Sequence, residues 1–209
     1  MDMTITLKNY RCFEQPARID LRKGLTALIG VNNSGKSTLL RFFYEFRSFW
    51  GNLQSPFLDL IGGKSVHLPP IHGIQDPRSV FCDNNDRDME IIVEIDPDDK
   101  EQIGLADVPL VTKAHFVISR NPLQYTGRFY SGYDASQQVH APSLSFDSSG
   151  LLLSHGQVIA DPRRLLETFR ALAGCVYLGA FRNALDLQGN QSQYYDIAIG
   201  RTLVSNWKS

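Results

Sequence analysis

Residues Gly30 to Ser37 read GVNNSGKS and form the most informative segment of the chain. It matches the pattern GxxxxGK[ST], the P-loop, in which a glycine-rich turn joins a strand to a helix. The flanking sequence has the required form. Residues 25–29 are almost wholly apolar, as in a strand buried on both faces, and apolar residues recur at spacings of three and four over 36–50. The pattern therefore predicts a buried strand, a phosphate-binding loop and an amphipathic helix that begins at Lys36.

The residue types in this loop suit a polyphosphate. Backbone N–H groups cradle phosphate oxygens only where side chains leave room, which explains Gly30 and Gly35. The N-terminus of the following helix adds partial positive charge, and the Lys36 ammonium can reach the β- and γ-phosphates. The Ser37 hydroxyl can bind Mg2+ that bridges phosphate oxygens. We therefore expect ATP and Mg2+ as ligands. The predicted nucleotide-binding residues are Gly30, Val31, Asn32, Asn33, Ser34, Gly35, Lys36, Ser37 and Thr38, with Ser37 as the Mg2+ ligand.

The remaining pattern predicts an α/β chain with an antiparallel β layer. Residues 4–8 and 17–21 alternate like two neighbouring antiparallel strands, and 52–88 has the composition of an irregular insertion. Further strands are predicted at 89–95, 114–118, 124–130, 143–146 and 151–153. We interpret residues 1–52 as P-loop core, 53–160 as insertion and β layer, and 161–209 as a return to the core.

A second helix is predicted after Asp161, which has the features of an N-cap residue, with Pro162 in the first position. Its apolar stripe contains Leu165, Phe169 and Leu172, and Gly174 is expected to end it. A short buried strand is predicted at 175–178.

Composition excludes several classes of protein. The chain has 209 residues, 43% hydrophobic and 21% charged, with a net charge of -1, so a strongly basic tail is excluded. No apolar run approaches the length of a membrane span, and the start lacks the pattern of a secretory signal. Three cysteines, far apart in sequence, fit a reducing compartment. These features predict a cytoplasmic protein with no membrane partner.

The opening of the chain adds a family resemblance. The element NYRCF at 9–13, a second strand and then GVNNSGKSTLL at 30–40 resemble the N-terminal lobe of SMC/RecF/OLD-type ABC ATPases. The NNSGKST variant is most similar to OLD-like ATPases of bacterial antiphage defence, including Gabija- and retron-associated effectors. The resemblance implies a P-loop NTPase fold in which two heads sandwich two ATP molecules. It also implies a homodimer or higher oligomer, a nuclease or other effector partner, DNA as a partner, and a nucleotide-proximal role for Arg11.

Other parts of such an ATPase are not identified in the sequence. The nearest match to a Walker B strand, residues 91–96, has its acidic residues in the wrong order, and no signature motif is found, so no catalytic residue is assigned. We therefore expect the N-terminal part of a longer protein, an ATPase when complete. Two alternatives stay open: a P-loop small-molecule kinase, although no compact Arg-rich lid is evident, and a nucleotide-dependent assembly module without turnover. A GTPase is disfavoured because no NKxD tetrapeptide occurs; residues 85–88 read NDRD.

Overall fold

A computed structural model describes residues 2–24, 26–31, 34–96, 108–132, 135–141 and 143–175. The strands are β1 (Asp2–Lys8), β2 (Ala17–Leu21), β3 (Val66–His67), β4 (Met89–Asp96), β5 (Val111–Ser119), β6 (Gln124–Ser131), β7 (Gln137–Val139), β8 (Leu144–Phe146), β9 (Leu152–Ser154) and β10 (Gln157–Ala160). The α-helices are α1 (Lys36–Glu45), α2 (Arg47–Asn52), α3 (Phe57–Ile61) and α4 (Arg163–Ala173).

A seven-stranded antiparallel sheet forms the centre of the described structure. Its order is β2-β1-β4-β5-β6-β3, and β7 also pairs with β6. The predicted pairing of β1 with β2 is confirmed, with Ile5 opposite Ile19. β1 also pairs along its whole length with β4. The strands of residues 1–52 and those of the β layer therefore belong to one sheet.

The sheet has one apolar and one polar face because its strands alternate. On β4, Ile91 and Val93 are fully buried, whereas Glu90 and Glu94 lie on the opposite face. There, Lys8 donates to Glu90 at 2.7 Å and Lys113 pairs with Glu94 at 2.8 Å. The apolar face is the one that the helices cover.

Aromatic rings fill the space between helices and sheet. Trp50 of α2 stacks on Phe169 of α4 with ring centres 5.7 Å apart, and Phe49 meets Phe116 of β5 edge-on at 5.3 Å. The predicted stripe of α4 is confirmed, since Leu165, Phe169 and Leu172 are all buried. Large rings of this kind contribute most of the apolar area in a core.

Several predicted elements differ in the structure. The predicted helix over 36–50 is divided at Phe46, which separates α1 from α2. The predicted irregular insertion contains α3, β3 and a short 3-10 turn, Pro77–Val80. In α4 the N-cap is Pro162, one residue later than predicted; Asp161 still accepts a hydrogen bond from the Arg163 backbone N–H at 3.1 Å. Gly174 is the C-cap, as predicted.

The predicted buried strand at 25–29 is wrong for its described residues. Residues 26–31 have no regular structure, and the Ile29 side chain is 95% exposed. Among the described residues, no strand pairs with this segment, and an apolar run becomes a strand only where a neighbour supplies hydrogen-bond partners. The predicted strand at 175–178 lies outside the described residues except for Cys175.

The smaller sheet has the order β10-β9-β8. Two of its strands, β8 and β9, were predicted, and the turn at 147–150 joins them. No helix in the described part of the chain combines the length and apolar character needed to cross a bilayer.

Candidate nucleotide-binding site

The loop between residue 30 and α1 depends on one glycine. Gly35, the N-cap of α1, has φ +85, a left-handed conformation that side chains disfavour. A Cβ at this position would lie 2.7 Å from Cζ of Phe13 and 3.3 Å from Sγ of Cys12. Both backbone conformation and space therefore require glycine here. Asn32 and Asn33, two of the predicted loop residues, lie outside the described residues.

The lysine of the motif lies over its own loop. Lys36 Nζ donates to the backbone oxygens of Gly30 at 2.7 Å and Val31 at 2.6 Å, and to Ser34 Oγ at 3.2 Å. All three hydrogen bonds are solvent-exposed. Anionic phosphate oxygens are stronger acceptors than carbonyl oxygens, so the same ammonium can exchange these partners for a polyphosphate.

The start of α1 is suited to an anion. The first intrahelical hydrogen bond runs from Leu39 N–H to Gly35 O at 2.9 Å, so the N–H groups of residues 36–38 precede the helical ladder. Within the described residues, no side chain caps this end, and the first turn has no acidic residue. Ser37 is exposed and Thr38 is half-buried. These residues fit a polyphosphate with Mg2+, and Ser37 as the metal ligand stays a prediction.

Arg11, the predicted nucleotide-proximal residue, pairs with a carboxylate of α1. Its Nη2 donates to Glu45 Oε1 at 2.8 Å, and Tyr10 Oη donates to Glu45 Oε2 at 2.7 Å. Burial lowers the pKa of Arg11, but its hydrogen bonds to Tyr10 and Glu45 outweigh that effect and raise it overall. Arg11 is therefore fully charged, and its contact with nucleotide stays a prediction.

Sequence reasoning missed Glu45 and the contact of Phe13 with Gly35. Glu45 has a side chain that is only 6% exposed, although it is acidic. One signal was present: Glu45 lies between Phe42 and Phe46 on the apolar side of a helix, where a charge needs a partner.

The acidic residues of β4 are not placed at this loop. Glu94 pairs with Lys113, and Asp96 pairs with Arg22 at 3.4 Å, on the polar face of the sheet. Within the described residues, no cluster of three His, Cys, Asp or Glu side chains could hold a metal ion. The alternating burial along β4 agrees with the strand predicted at 89–95.

Residues 1–121 match a protein family described as "AAA ATPase domain". The chain belongs to the AAA ATPase domain family. This match covers more than half of the chain, and it confirms the predicted P-loop NTPase fold and the predicted resemblance to an ATPase. The chain is thus a nucleotide-binding ATPase domain.

One of the six chains of known structure that match is similar over nearly the whole of this chain. It comes from work described as "Structural biochemistry of ATP-driven dimerization and DNA stimulated activation of SMC ATPases". The two share 11% sequence identity with a TM-score of 0.36, over 99% of this chain and 98% of the other. The search of curated proteins gives no match.

Proposed function

We propose that this ATPase domain binds Mg-ATP at residues 30–38 and that bound ATP drives two copies of the domain together. The observation that carries the proposal is the exposure of the loop. Lys36 contacts its loop at the surface, and the neighbouring Ile29 and Val31 are 95% and 79% exposed. The described residues would contact a bound triphosphate on one side only. We propose that a second copy of the domain covers the other side.

The chain's own residues have separate roles in this proposal. Lys36 balances the charge of the β- and γ-phosphates, and the N–H groups at the start of α1 donate to phosphate oxygens. Ser37 holds Mg2+, which when bound neutralises phosphate charge and orients the terminal phosphate. We identify no base or water-positioning group among the described residues, so hydrolysis is assigned to none of them.

The biological setting is proposed from the sequence resemblance. An ATPase similar to OLD-like defence proteins would use ATP-driven engagement to gate processing of DNA or the activity of a nuclease or other effector, in the cytoplasm. The two alternatives make different predictions. A kinase would transfer phosphate to an added acceptor, and an assembly module would associate with ATP but never turn it over.

Sedimentation velocity tests the proposal directly. The chain should be monomeric in EDTA and become dimeric with Mg2+ and a slowly hydrolysed ATP analogue. Lys36→Ala should stay monomeric with the same additions. Binding of the analogue without any change in mass would refute ATP-driven association, and mass that is independent of nucleotide would refute it equally.

A further inference from the structure

The loop 9–13, between β1 and β2, has an unusual backbone. Asn9 and Arg11 have φ values of +56° and +47°. Residues other than glycine rarely adopt such values, although asparagine does so more often than most. Hydrogen bonds from residues 80–88 of the same chain hold both residues in place. Arg11 N–H donates to Val80 O at 2.8 Å, Cys82 N–H donates to Asn9 O at 2.9 Å, and Asn9 Nδ2 donates to Asp88 O at 2.9 Å. Strain that is held by so many contacts is typical of functional loops.

Glu45 is the one acidic side chain that binds this loop from α1 in the described structure. Each carboxylate oxygen of Glu45 accepts one hydrogen bond: Oε2 from Tyr10 Oη at 2.7 Å and Oε1 from Arg11 Nη2 at 2.8 Å. Tyr10 is fully buried, and burial together with the Glu45 charge raises its pKa well above the usual range. The tyrosine therefore stays protonated and donates a hydrogen bond to Glu45.

The same loop reaches the beginning of α1. Phe13 stacks on Tyr10 with ring centres 6.5 Å apart, and its ring fills the space beside Gly35. α1 contains ten residues, about 15 Å of helix at ~1.5 Å per residue. The loop therefore contacts α1 at both ends: at Glu45 through polar bonds and at Gly35 through an aromatic ring.

We propose that Glu45 is a positioning residue for nucleotide binding. Its buried carboxylate holds Tyr10 and Arg11, this keeps Phe13 against Gly35, and the ring in turn keeps Gly35 in the left-handed conformation that directs the first N–H groups of α1. The proposal rests on nucleotide binding by residues 30–38. Glu45 itself contacts no phosphate and acts only through the loop.

The test measures the Kd of a fluorescent ATP analogue with Mg2+ for the whole chain. Glu45→Ala removes both acceptors and should raise the Kd tenfold or more. Glu45→Gln can still accept from Arg11 and donate to Tyr10 Oη, so it should stay within about threefold of the unsubstituted chain. Asp161→Ala is the matched control: Asp161 is also a buried carboxylate paired with an arginine, Arg163 at 2.7 Å. It should leave the Kd unchanged.

A second pair of variants keeps the test decisive if Glu45→Ala does not fold. Phe13→Leu removes the ring that stacks on Tyr10 and lies beside Gly35, and it should raise the Kd at least fivefold. Phe146→Leu, which removes a partly exposed ring stacked on Phe57, should leave the Kd unchanged. Equal affinities for Phe13→Leu and Phe146→Leu would overturn the proposal, as would a folded Glu45→Ala that binds like the unsubstituted chain. If the unsubstituted chain binds no analogue, the assignment of residues 30–38 fails instead.

Discussion

Replacing Gly35 by alanine should destabilise the domain by about 2–5 kcal/mol. A left-handed φ of +85 costs an L-residue roughly 1–2 kcal/mol. The new Cβ would also lie 2.7 and 2.9 Å from two carbons of the Phe13 ring, and overpacking of this kind costs about 1–3 kcal/mol. For a domain of this size the sum corresponds to a fall in Tm of roughly 4–20 °C.

Urea denaturation followed by circular dichroism measures this loss, and two further variants separate its causes. Gly73 has φ +72 with nothing within 4 Å of an added Cβ, so Gly73→Ala reports backbone strain alone. Gly35→Ala should cost about 1–3 kcal/mol more than this control, the difference being the contact with Phe13. Adding Phe13→Ala to Gly35→Ala should cost less than the sum of the two single changes, because the clash is gone. Equal losses for Gly35→Ala and Gly73→Ala, with strict additivity in the double variant, would refute the reasoning.

Three further predictions concern ligand and pH. Mg-ATP at 100 times its Kd should add about 2.7 kcal/mol, or roughly 5–10 °C in Tm, and Lys36→Ala should abolish this shift in scanning fluorimetry; a retained shift would remove Lys36 from the site. Burial raises the pKa of Tyr125 from 10.0 to about 12, so stability should decline as the pH rises from 10 through 12. Tyr125→Phe should decline less in the same alkaline denaturation series, and an identical slope would contradict the assignment. Burial raises the pKa of Asp161, but the Arg163 hydrogen bonds outweigh it and lower the pKa below 3.8. The stabilisation of the folded domain by the ionised Asp161 is fully present above pH 3.8 and is lost as the pH falls through the lowered pKa. In denaturant titrations the stability of Asp161→Asn should therefore fall less steeply with acid than that of the unsubstituted chain. Equal slopes would be inconsistent with the Asp161–Arg163 ion pair.

The local sequence pattern was enough to predict the strands in which apolar and polar residues alternate. β4, β5 and β6 were predicted because one apolar face repeats every second residue, and that repeat is a property of the strand itself. β7 (QQV) and β10 (QVIA) were missed, since neither shows the alternation of the longer strands. The equally short β8 and β9 were predicted because turn residues at 147–150 separate two short apolar segments. The break between α1 and α2 was also missed, because Phe46 continues the apolar spacing across it.

The sequence by itself was sufficient to identify the P-loop motif and the ATPase family, because such a motif is a set of glycines, a lysine and a hydroxyl at fixed local spacing. The tertiary structure was needed to show that 26–31 forms no strand and is mostly exposed, with Leu28 half-buried, since a strand depends on hydrogen bonds from segments distant in sequence. It also decided the neighbours of Gly35 and Glu45. Phe13 and Tyr10 are separated from them by more than 20 residues of chain, and contacts over such distances follow from packing, which no local pattern encodes.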